Sequence, residues 1–289
     1  MANAIILFEN FFDTATPTGG SYESELPITN LQDDDLGMVA RTTTATNAAT
    51  KILIDFGRER RIDAICLGVP NISPGAQYRI RSFAESGRTT TLYDSGIKTL
   101  PGVVVDSLTL EWEDPGFWAG INTEELLVEF STWLIEVVPD EQASNANARW
   151  WTIEIFDVDN ADGYLDLSRL LAGRAFKPLI NFSEDNSAGL ESIADVSESL
   201  GGHREYWERG LRRTLRLALP WLSQDEIFND VFRMMVKART SRQVFVIPDY
   251  DDTQFLQQRS FLATFKQVPA IQQLLVERGS TLIDLEEVI

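Results

Sequence analysis

The sequence of 289 residues contains one cysteine and one histidine, and this scarcity excludes several kinds of chemistry. A single cysteine, Cys66, rules out an internal disulfide, and its apolar, alternating context predicts a buried structural thiol. With a single histidine, His203, one chain cannot assemble a closed zinc site of nitrogen and sulfur ligands. A catalytic triad would depend on His203, which follows two glycines, and no G-x-S-x-G motif occurs. We therefore predict a protein that is not an enzyme.

Long apolar runs and positive charge are also scarce. No apolar run approaches the roughly 20 residues that span a bilayer, and the N-terminus lacks the basic region of a signal peptide. We therefore expect no membrane insertion and synthesis in the cytoplasm. Basic residues number 25 against 44 acidic ones, and the net charge of -19 repels phosphate backbones. This balance predicts no nucleic-acid partner.

What the sequence does contain is the composition of a folded, soluble protein. Hydrophobic residues make up 44% of the chain and charged residues 24%, which is typical of globular domains. The length of 289 residues favours about two folding units. The expected architecture is therefore two domains, each with its own core.

Short runs rich in β-branched and aromatic residues dominate the first half. Eight of them precede residue 157: AIILF, KILIDFG, RIDAICLG, AQYRIRSFA, TTTLYDSG, GVVVDSLTLEW, ELLVEFSTWLIEVV and RWWTIEIFD. In the second run, Ile52, Ile54 and Phe56 alternate with other residues, as in a strand with one buried face. Glycine and proline punctuate the connections. This pattern predicts a mainly β fold that begins with an eight-stranded β-sandwich.

The pattern changes after about residue 169. The acidic, serine-rich stretch 181–203 is weakly periodic and predicts a long loop or mobile insertion. Further on, Ser223 and Glu226 have the spacing of a capping box and predict one amphipathic helix over about 223–239. We expect one apolar stripe of this helix to be buried; its members are Ile227, Phe228, Val231, Phe232 and Met235. Strands before and after the helix predict a second β-rich domain.

One acidic stretch, DVDNADGYLDLS from residue 157, suggests a calcium loop at first sight. An EF-hand loop requires a ligand at position 5, glycine at position 6 and glutamate at position 12. Here position 5 is Ala161 and position 12 is Ser168. We therefore interpret the stretch as a turn in which Asn160 and Asp162 make Asx bonds and Gly163 adopts a positive φ.

Several motifs resemble a known family when they are taken in order. The strings LPITNLQDDDLGMVARTT, KILIDFGRERRIDAICLG, TTTLYDSGIKTLPG and ARWWTIEIFDVDNADGYLDLSRLLAGRAFKP are similar to those of discoidin-type, galactose-binding-like jelly rolls of bacteriophage tail proteins. Together they cover roughly residues 5–178. The resemblance implies an N-terminal jelly-roll domain, 1–168, whose end loops bind carbohydrate, calcium or a neighbouring protein.

The same resemblance implies further sites and partners. The position of the family's calcium loop is occupied by Asp33, Asp34 and Asp35, although three adjacent acids also suit a solvated turn. The second domain, 169–289, is similar in its strand-helix-strand order to tail-tube and distal-tail modules that form rings. The leading hypothesis is a structural component of a phage tail tip or baseplate, located in the virion. Its expected partners are other tail proteins, further copies of itself as an oligomer or ring, and a cell-surface glycan.

Two other functions remain open from the sequence. A freestanding carbohydrate-binding module would use exposed aromatic side chains, and Phe117 and Trp118 in DPGFWAG are the candidates for ligand binding. A glycoside hydrolase would need two carboxyl groups in one cleft, and Glu111 and Glu113 flank Trp112. No cofactor other than calcium is expected.

Overall fold

The computed structural model describes residues 3–73, 75–100, 132–183, 186–198, 202, 204–252, 255–275 and 278–289. In this part of the chain the fold is mainly β with antiparallel pairing throughout, as the sequence predicts. The N-terminal strands are β1 (Ile5–Asn10), β2 (Thr16–Thr18), β3 (Ala40–Arg41), β4 (Ile52–Arg61), β5 (Ala64–Gly68), β6 (Gln77–Phe83), β7 (Thr91–Asp94), β8 (Lys98–Thr99), β9 (Trp133–Val137), β10 (Asn147–Phe156), β11 (Asp166–Leu167) and β12 (Leu170–Phe176).

The second half adds longer strands and the principal helix. Its strands are β13 (Ser187–Glu198), β14 (Arg204–Ser223), β15 (Val244–Ile247), β16 (Phe261–Phe265), β17 (Ala270–Leu275) and β18 (Arg278–Glu287). The α-helices are α1 (Asn47–Thr50), α2 (Phe232–Ala238) and α3 (Leu256–Arg259), and a π-helical segment, Glu226–Val231, leads directly into α2. Short 3-10 turns span Phe12–Thr14, Ile28–Gln32 and Asp140–Gln142. No helix in the described ranges is both long and apolar enough to cross a bilayer.

Two sheets form most of the molecule. The large sheet has the strand order β13-β14-β18-β16-β15-β1-β12-β5-β9, and β17 pairs with β18 beside this path. The small sheet has the order β2-β4-β10-β6-β7, with β8 paired to β6. A separate pair, β11 and β3, closes one end of the sandwich. The small sheet packs on the β12-β5-β9 region of the large sheet, and this packing gives the sandwich its core.

Strand alternation explains how the sandwich core is filled. On β10, Trp151, Ile153 and Ile155 are buried against the large sheet. Leu170 and Ala172 on β12 face them from the other side. Because side chains of a strand alternate between faces, the intervening Leu171 belongs to a second cluster on the opposite face of the large sheet.

The large sheet continues without interruption across the predicted domain boundary at residue 168. β1 pairs with β12 through Ile6 and Phe176, and its other edge pairs with β15 through Ile5 and Ile247. The first strand of the chain therefore joins the two halves by backbone hydrogen bonds. β12 lies after the predicted boundary, yet it pairs with β5 inside the sandwich.

The predicted long loop at 181–203 is wrong for most of its length, because β13 occupies Ser187–Glu198. β13 forms a long hairpin with β14, from Ser187 opposite Arg216 to Glu198 opposite Arg204. Both faces of β13 are largely exposed. Its alternation is weak, because Ser192 interrupts the apolar row that runs from Ala188 to Val196 and Ile193 lies in the other row.

The predicted capping box is present at the start of the helical region. The Ser223 hydroxyl donates to Glu226 Oε2 at 2.7 Å, and the Ser223 backbone N–H donates to the same oxygen at 2.9 Å. The Glu226 N–H donates back to Ser223 Oγ at 3.3 Å. Burial raises the pKa of Glu226, but the hydrogen bonds from Leu179 and Ser223 outweigh it and hold that pKa below its usual range.

The predicted buried stripe of the helix is only half right. Of the predicted stripe, Ile227 and Val231 are buried against the sheet and Met235 packs there partly buried. Met234 and Ala238 complete the buried side of the helix. Phe228 and Phe232, which we expected in the core, are 65% and 50% exposed. A helix that touches one sheet face buries a stripe only about 100° wide, so of two adjacent apolar stripes one must face outward.

Candidate binding site

The ligand-binding residues predicted from the sequence fall in different places. Phe117 and Trp118 lie outside the described residues, as do Glu111 and Glu113. Their predicted role in binding therefore stays a prediction. The three aspartates at 33–35 are described and can be placed.

The loop at Asp33, Asp34 and Asp35 directs its three carboxylates to three different partners. Asp33 Oδ1 accepts a hydrogen bond from the Asp35 N–H at 3.0 Å, and Asp35 Oδ1 accepts one from the Gly37 N–H at 2.9 Å. Asp34 Oδ1 lies 2.8 Å from Nη2 of Arg169. In the described ranges no group of three or more His, Cys, Asp or Glu side chains is arranged to hold a metal ion. Calcium binding here stays a prediction, and it would require Asp34 to leave Arg169.

Arg169 ties this loop to the second half of the chain. Its buried guanidinium contacts Asp13 at 2.6 Å in addition to Asp34, and its Nε donates to Gln243 Oε1 at 3.2 Å. Gln243 Nε2 in turn donates to the backbone oxygen of Asp34 at 2.6 Å. Burial raises the pKa of Asp13, against the opposing effect of Arg169. These contacts hold the loop at Asp33–Asp35 in place against Arg169 and Gln243.

The acidic turn at 157–163 builds one end of the sandwich. Asn160 Oδ1 accepts a hydrogen bond from the Asp162 N–H at 2.9 Å, and Gly163 has a φ of 73°, both as predicted. Asp162 was expected to make an Asx bond, but its carboxylate accepts instead from Asn71 Nδ2 at 3.0 Å. Asp157 Oδ2 accepts from the Ser73 N–H and from Asn160 Nδ2. The turn is therefore locked to the loop that contains Asn71.

An aromatic ring and a guanidinium lie beside this turn. The Arg41 guanidinium carbon lies 4.2 Å from the centre of the Tyr164 ring. Arg41 also binds Asp166 through two bonds, Nε to Oδ1 at 2.8 Å and Nη2 to Oδ2 at 2.9 Å. These bonds raise the pKa of Arg41. Asn71 fixes the backbone between them, because its Nδ2 donates to Tyr164 O and its Oδ1 accepts from the Asp166 N–H. We call Arg41, Asn71, Asp162, Tyr164 and Asp166 the end-loop cluster.

The end-loop cluster retains hydrogen-bonding capacity toward solvent. Arg41 Nη1 has no hydrogen-bond partner among the described residues, and the Arg41 side chain is 36% exposed. Asp162 is exposed and accepts one described bond from a side chain. A donor, an acceptor and a half-buried aromatic ring on one rigid surface are the groups needed to orient a polyhydroxylated ligand.

Sequence patterns alone could not assemble the end-loop cluster. Arg41 and Asp166 are 125 positions apart, and Asn71 and Asp166 are 95 apart. The only local signal is the turn before Tyr164, whose residue types predict a fixed loop rather than a binding surface.

A second polar cluster lies between the two sheets. Glu136 on β9 is fully buried, and its Oε1 accepts from Tyr93 OH at 2.6 Å and from Lys98 Nζ at 2.8 Å. Its Oε2 accepts from Lys98 Nζ at 2.9 Å and from Tyr78 OH at 3.3 Å. Burial, with Glu136 adding to it, raises the pKa of both tyrosines. Because every oxygen is satisfied, this cluster is a structural tie between the two sheets and offers no group to a ligand.

Comparisons with known proteins give similarity only to solved structures. No protein-family model and no curated protein matches the chain. The chain resembles the family 32 carbohydrate-binding module of NanJ from Clostridium perfringens, solved with galactose, at 13% identity and a TM-score of 0.36, over 58% of this chain and 98% of that one. It resembles the lectin binding domain of lectinolysin, solved with Lewis b, at 13% identity and a TM-score of 0.35, over 57% of this chain and 96% of that one.

Two larger enzymes match over a small part of their length. The chain spans 14% of a family 89 glycoside hydrolase from Clostridium perfringens, at 12% identity, a TM-score of 0.36 and 57% coverage of this chain. It spans 26% of a family 29 fucosidase from Ruminococcus gnavus, at 14% identity, the same TM-score of 0.36 and 57% coverage.

Proposed function

We propose that the protein is a carbohydrate-binding protein without catalytic activity, and that the end-loop cluster is its binding surface. The observation that supports this proposal is the position of Arg41 over Tyr164 next to the exposed Asp162. Sugar hydroxyl groups both donate and accept hydrogen bonds, so they suit the unused Arg41 Nη1 and the Asp162 carboxylate. Arg41 covers one face of the Tyr164 ring, so the edge and the other face of the ring supply the apolar contact area for the sugar.

Rigidity of the surface strengthens the proposal. Asn71 holds the backbone on both sides of Asp166, and Asp166 holds Arg41 through two parallel bonds. A surface that is already ordered before binding loses little conformational entropy when a weakly held ligand arrives.

The test is a glycan array followed by calorimetric titration of galactose and of the strongest array ligand. Tyr164→Ala should weaken binding of that ligand by about tenfold or more, equivalent to roughly 1.4 kcal/mol. Tyr206→Ala is the matched control, because Tyr206 is exposed on β14, at the opposite end of the large sheet from the sandwich strands. Unchanged affinity in Tyr164→Ala together with lost binding in Trp118→Ala would place the site at the loop predicted from the sequence instead.

A second candidate function is a structural component of a phage tail tip or baseplate that assembles with tail proteins or with copies of itself. The observation that favours it is the outer side of the helix, where Phe228, Phe232 and Val236 are all exposed at a spacing of four residues. Apolar patches of this kind on a folded protein are typical of association surfaces.

Imaging and light scattering test this second candidate. Gold-labelled antibodies against the protein should mark the tail tip of intact particles from its source. Light scattering should show oligomers that dissociate in the Phe228→Ser/Phe232→Ser double variant. Unlabelled particles together with a monomer at all concentrations would contradict this role.

A further inference from the structure

The hairpin of β13 and β14 ends the large sheet with an open strand edge. In the described part of the chain β13 pairs with β14 and with no other strand. Along the 12 residues of β13, every second residue therefore directs its backbone N–H and C=O away from the sheet. An edge of this length is able to accept another strand.

β13 lacks the features that protect strand edges. Its sequence, SAGLESIADVSE, contains no proline, lysine or arginine. Ile193 pairs with Gly210 and Ala194 pairs with Glu208. The extra residue of this irregularity, Arg209, therefore lies on β14. β13 is therefore unbroken over its whole length.

One face of the hairpin carries most of its exposed apolar side chains, and the ion pair of Glu198 and Arg204 lies at its end. Directly paired residues share a face, so Ala188 lies beside the buried Leu215, and Val196 beside Tyr206. Alternation places Leu190 on this face as well. Leu190, Val196 and Tyr206 are 62%, 56% and 60% exposed. The core face of the second half thus extends along the hairpin with no cover among the described residues.

A cleft of about 840 Å³ opens at the base of the hairpin, on this face. β13 supplies Ala188, Gly189 and Leu190 to its lining, and Phe182 and Phe261 supply aromatic walls. This volume lies in the range of sites that bury a ligand or a few side chains of a peptide.

Arg213, although it lines the cleft, is fully engaged by the protein. Its Nη1 donates to the backbone oxygens of Gln257, Gln258 and Ser260, and its Nε and Nη2 bind Glu287. Arg259 also lines the cleft and is paired with Asp252 at 2.9 Å. The cleft therefore offers apolar surface and an adjacent strand edge rather than an unpaired cation. That combination suits an extended peptide more than a small anion.

The charge of β13 selects among extended peptides. Its charged residues are Glu191, Asp195 and Glu198, all acidic. Glu191 and Asp195 share one face, and Glu191 also pairs with Lys266 at 3.4 Å. In a second copy paired antiparallel about Ile193, Glu191 would lie opposite Asp195, and like charges on paired strands are destabilising. A strand with basic residues would instead be attracted.

From these observations we infer that β13 binds an extended segment of a different protein by strand addition. The segment would alternate apolar residues, directed to the cleft face, with basic residues, directed to the face of Glu191. This inference goes beyond both proposed functions and rests on neither, because it concerns backbone pairing on the β13 edge.

The test uses the full chain and two synthetic peptides, one alternating valine with lysine and one alternating valine with glutamate. Fluorescence anisotropy should show binding of the valine-lysine peptide at least about tenfold tighter than that of the valine-glutamate peptide. Hydrogen exchange should show new protection of Ser187–Glu198 amides in the complex. The Glu191→Gln/Asp195→Asn variant, which neutralises both acids of that face, should abolish the peptide preference; both positions are exposed on β13.

Three outcomes would overturn the inference. Equal binding of the two peptides, or binding of neither, would remove the charge selection. Binding without protection of the β13 amides would place the peptide elsewhere. Protection of β13 that grows with protein concentration in the absence of peptide would show that a second copy occupies the edge.

Discussion

The two halves of the molecule cover their cores in different ways. In the N-terminal half, two sheets enclose a core that includes Trp151 and Leu170. The hydrogen bonds of Asn160 hold the turn at one end of this core, and those of Glu136 link the two sheets. In the C-terminal half, a single sheet is covered by one short helical region of the described chain, and much of β13 and β14 is exposed on that face. The polar groups of these clusters in the N-terminal half form intramolecular hydrogen bonds, whereas apolar side chains of the C-terminal half remain exposed to solvent.

The proposed carbohydrate site lies in the N-terminal half, and the proposed strand-binding edge lies in the C-terminal half. A closed sandwich positions rigid loops, which suits binding of a polar ligand at the end-loop cluster. A sheet with an open edge and an apolar face suits contact with another protein. The two halves are nevertheless one sheet, because β1 pairs with both β12 and β15.

The largest effect is expected where β1 joins the halves. A Cβ atom on Gly173 would lie 1.7 Å from the backbone oxygen of Glu9, so Gly173→Ala must displace backbone in both strands. We expect a loss of more than about 4 kcal/mol in the free energy of unfolding, measured by urea denaturation. Gly87→Ala is the control, since nothing lies within 4 Å of its added Cβ. A loss below about 1 kcal/mol would show that the joint is not tight.

The next effect distinguishes the two sides of the helix. Met234 is fully buried and Phe232 is half exposed. Met234→Ala should therefore cost about 2–5 kcal/mol of unfolding free energy, whereas Phe232→Ala should cost less than about 1 kcal/mol. If Phe232 lay in the core, as the sequence pattern predicted, Phe232→Ala would cost more unfolding free energy than Met234→Ala. Chemical denaturation of both variants decides between them.

The helix shows what periodicity can and cannot predict. Ser223 and Glu226 predict the start of the helix because their bonds are local. Two apolar stripes lie side by side on it, and only the sheet beneath decides which is buried. β13 was missed because Ser192 interrupts its row of apolar residues and Ile193 lies in the other row, so its alternation is weak. The strands of the sandwich were predicted more readily because burial of one face fixes their pattern, as at Ile52 and Ile54.

The sites were harder to predict than the strands. The end-loop cluster joins Arg41 to Asp166 across most of the sandwich sequence, and no local pattern encodes such a contact. The loop at Asp33–Asp35 was singled out because it occupies the position of the family's calcium loop, but the described contacts of Asp34 are with Arg169 and Gln243. Residue types predict which chemistry is available, whereas tertiary packing decides which groups meet.

The sealed interior of the sandwich can be tested through Glu136. Glu136→Gln replaces one acceptor oxygen by an amide nitrogen, so the bonds from Tyr93 and Lys98 cannot all be kept. We expect a loss of about 2–3 kcal/mol, below the value for a fully buried pair because Lys98 is 37% exposed. Asp140→Asn, which removes an exposed pair with Lys177, should change stability by less than about 1 kcal/mol. Equal losses of unfolding free energy in the two variants would mean that burial of Glu136 does not make its bonds more stabilising than those of the exposed pair.

The smallest predicted effect is on the pH dependence of the unfolding free energy. It compares one carboxyl group in each half, Glu226 and Asp55. The folded-state pKa of Glu226 is lowered, so the stability it contributes is present above its unfolded pKa of about 4.3 and is lost as pH falls through the folded value. Between pH 6 and pH 3.5, the wild type should lose about 1 kcal/mol more unfolding free energy than Glu226→Gln, the usual value of a helix cap. Denaturation curves at the two pH values measure this difference.

Asp55 in the sandwich provides the matched comparison for this titration. Its hydrogen bond with Arg149 lowers the pKa of Asp55, so its contribution has the same sign and is also lost in acid. The Asp55 side chain is 33% exposed and its pair is screened by solvent, so Asp55→Asn should alter the pH dependence less than Glu226→Gln does. A larger effect at Asp55 would mean that acid weakens the closed sandwich before it weakens the open half, contrary to the contrast between them.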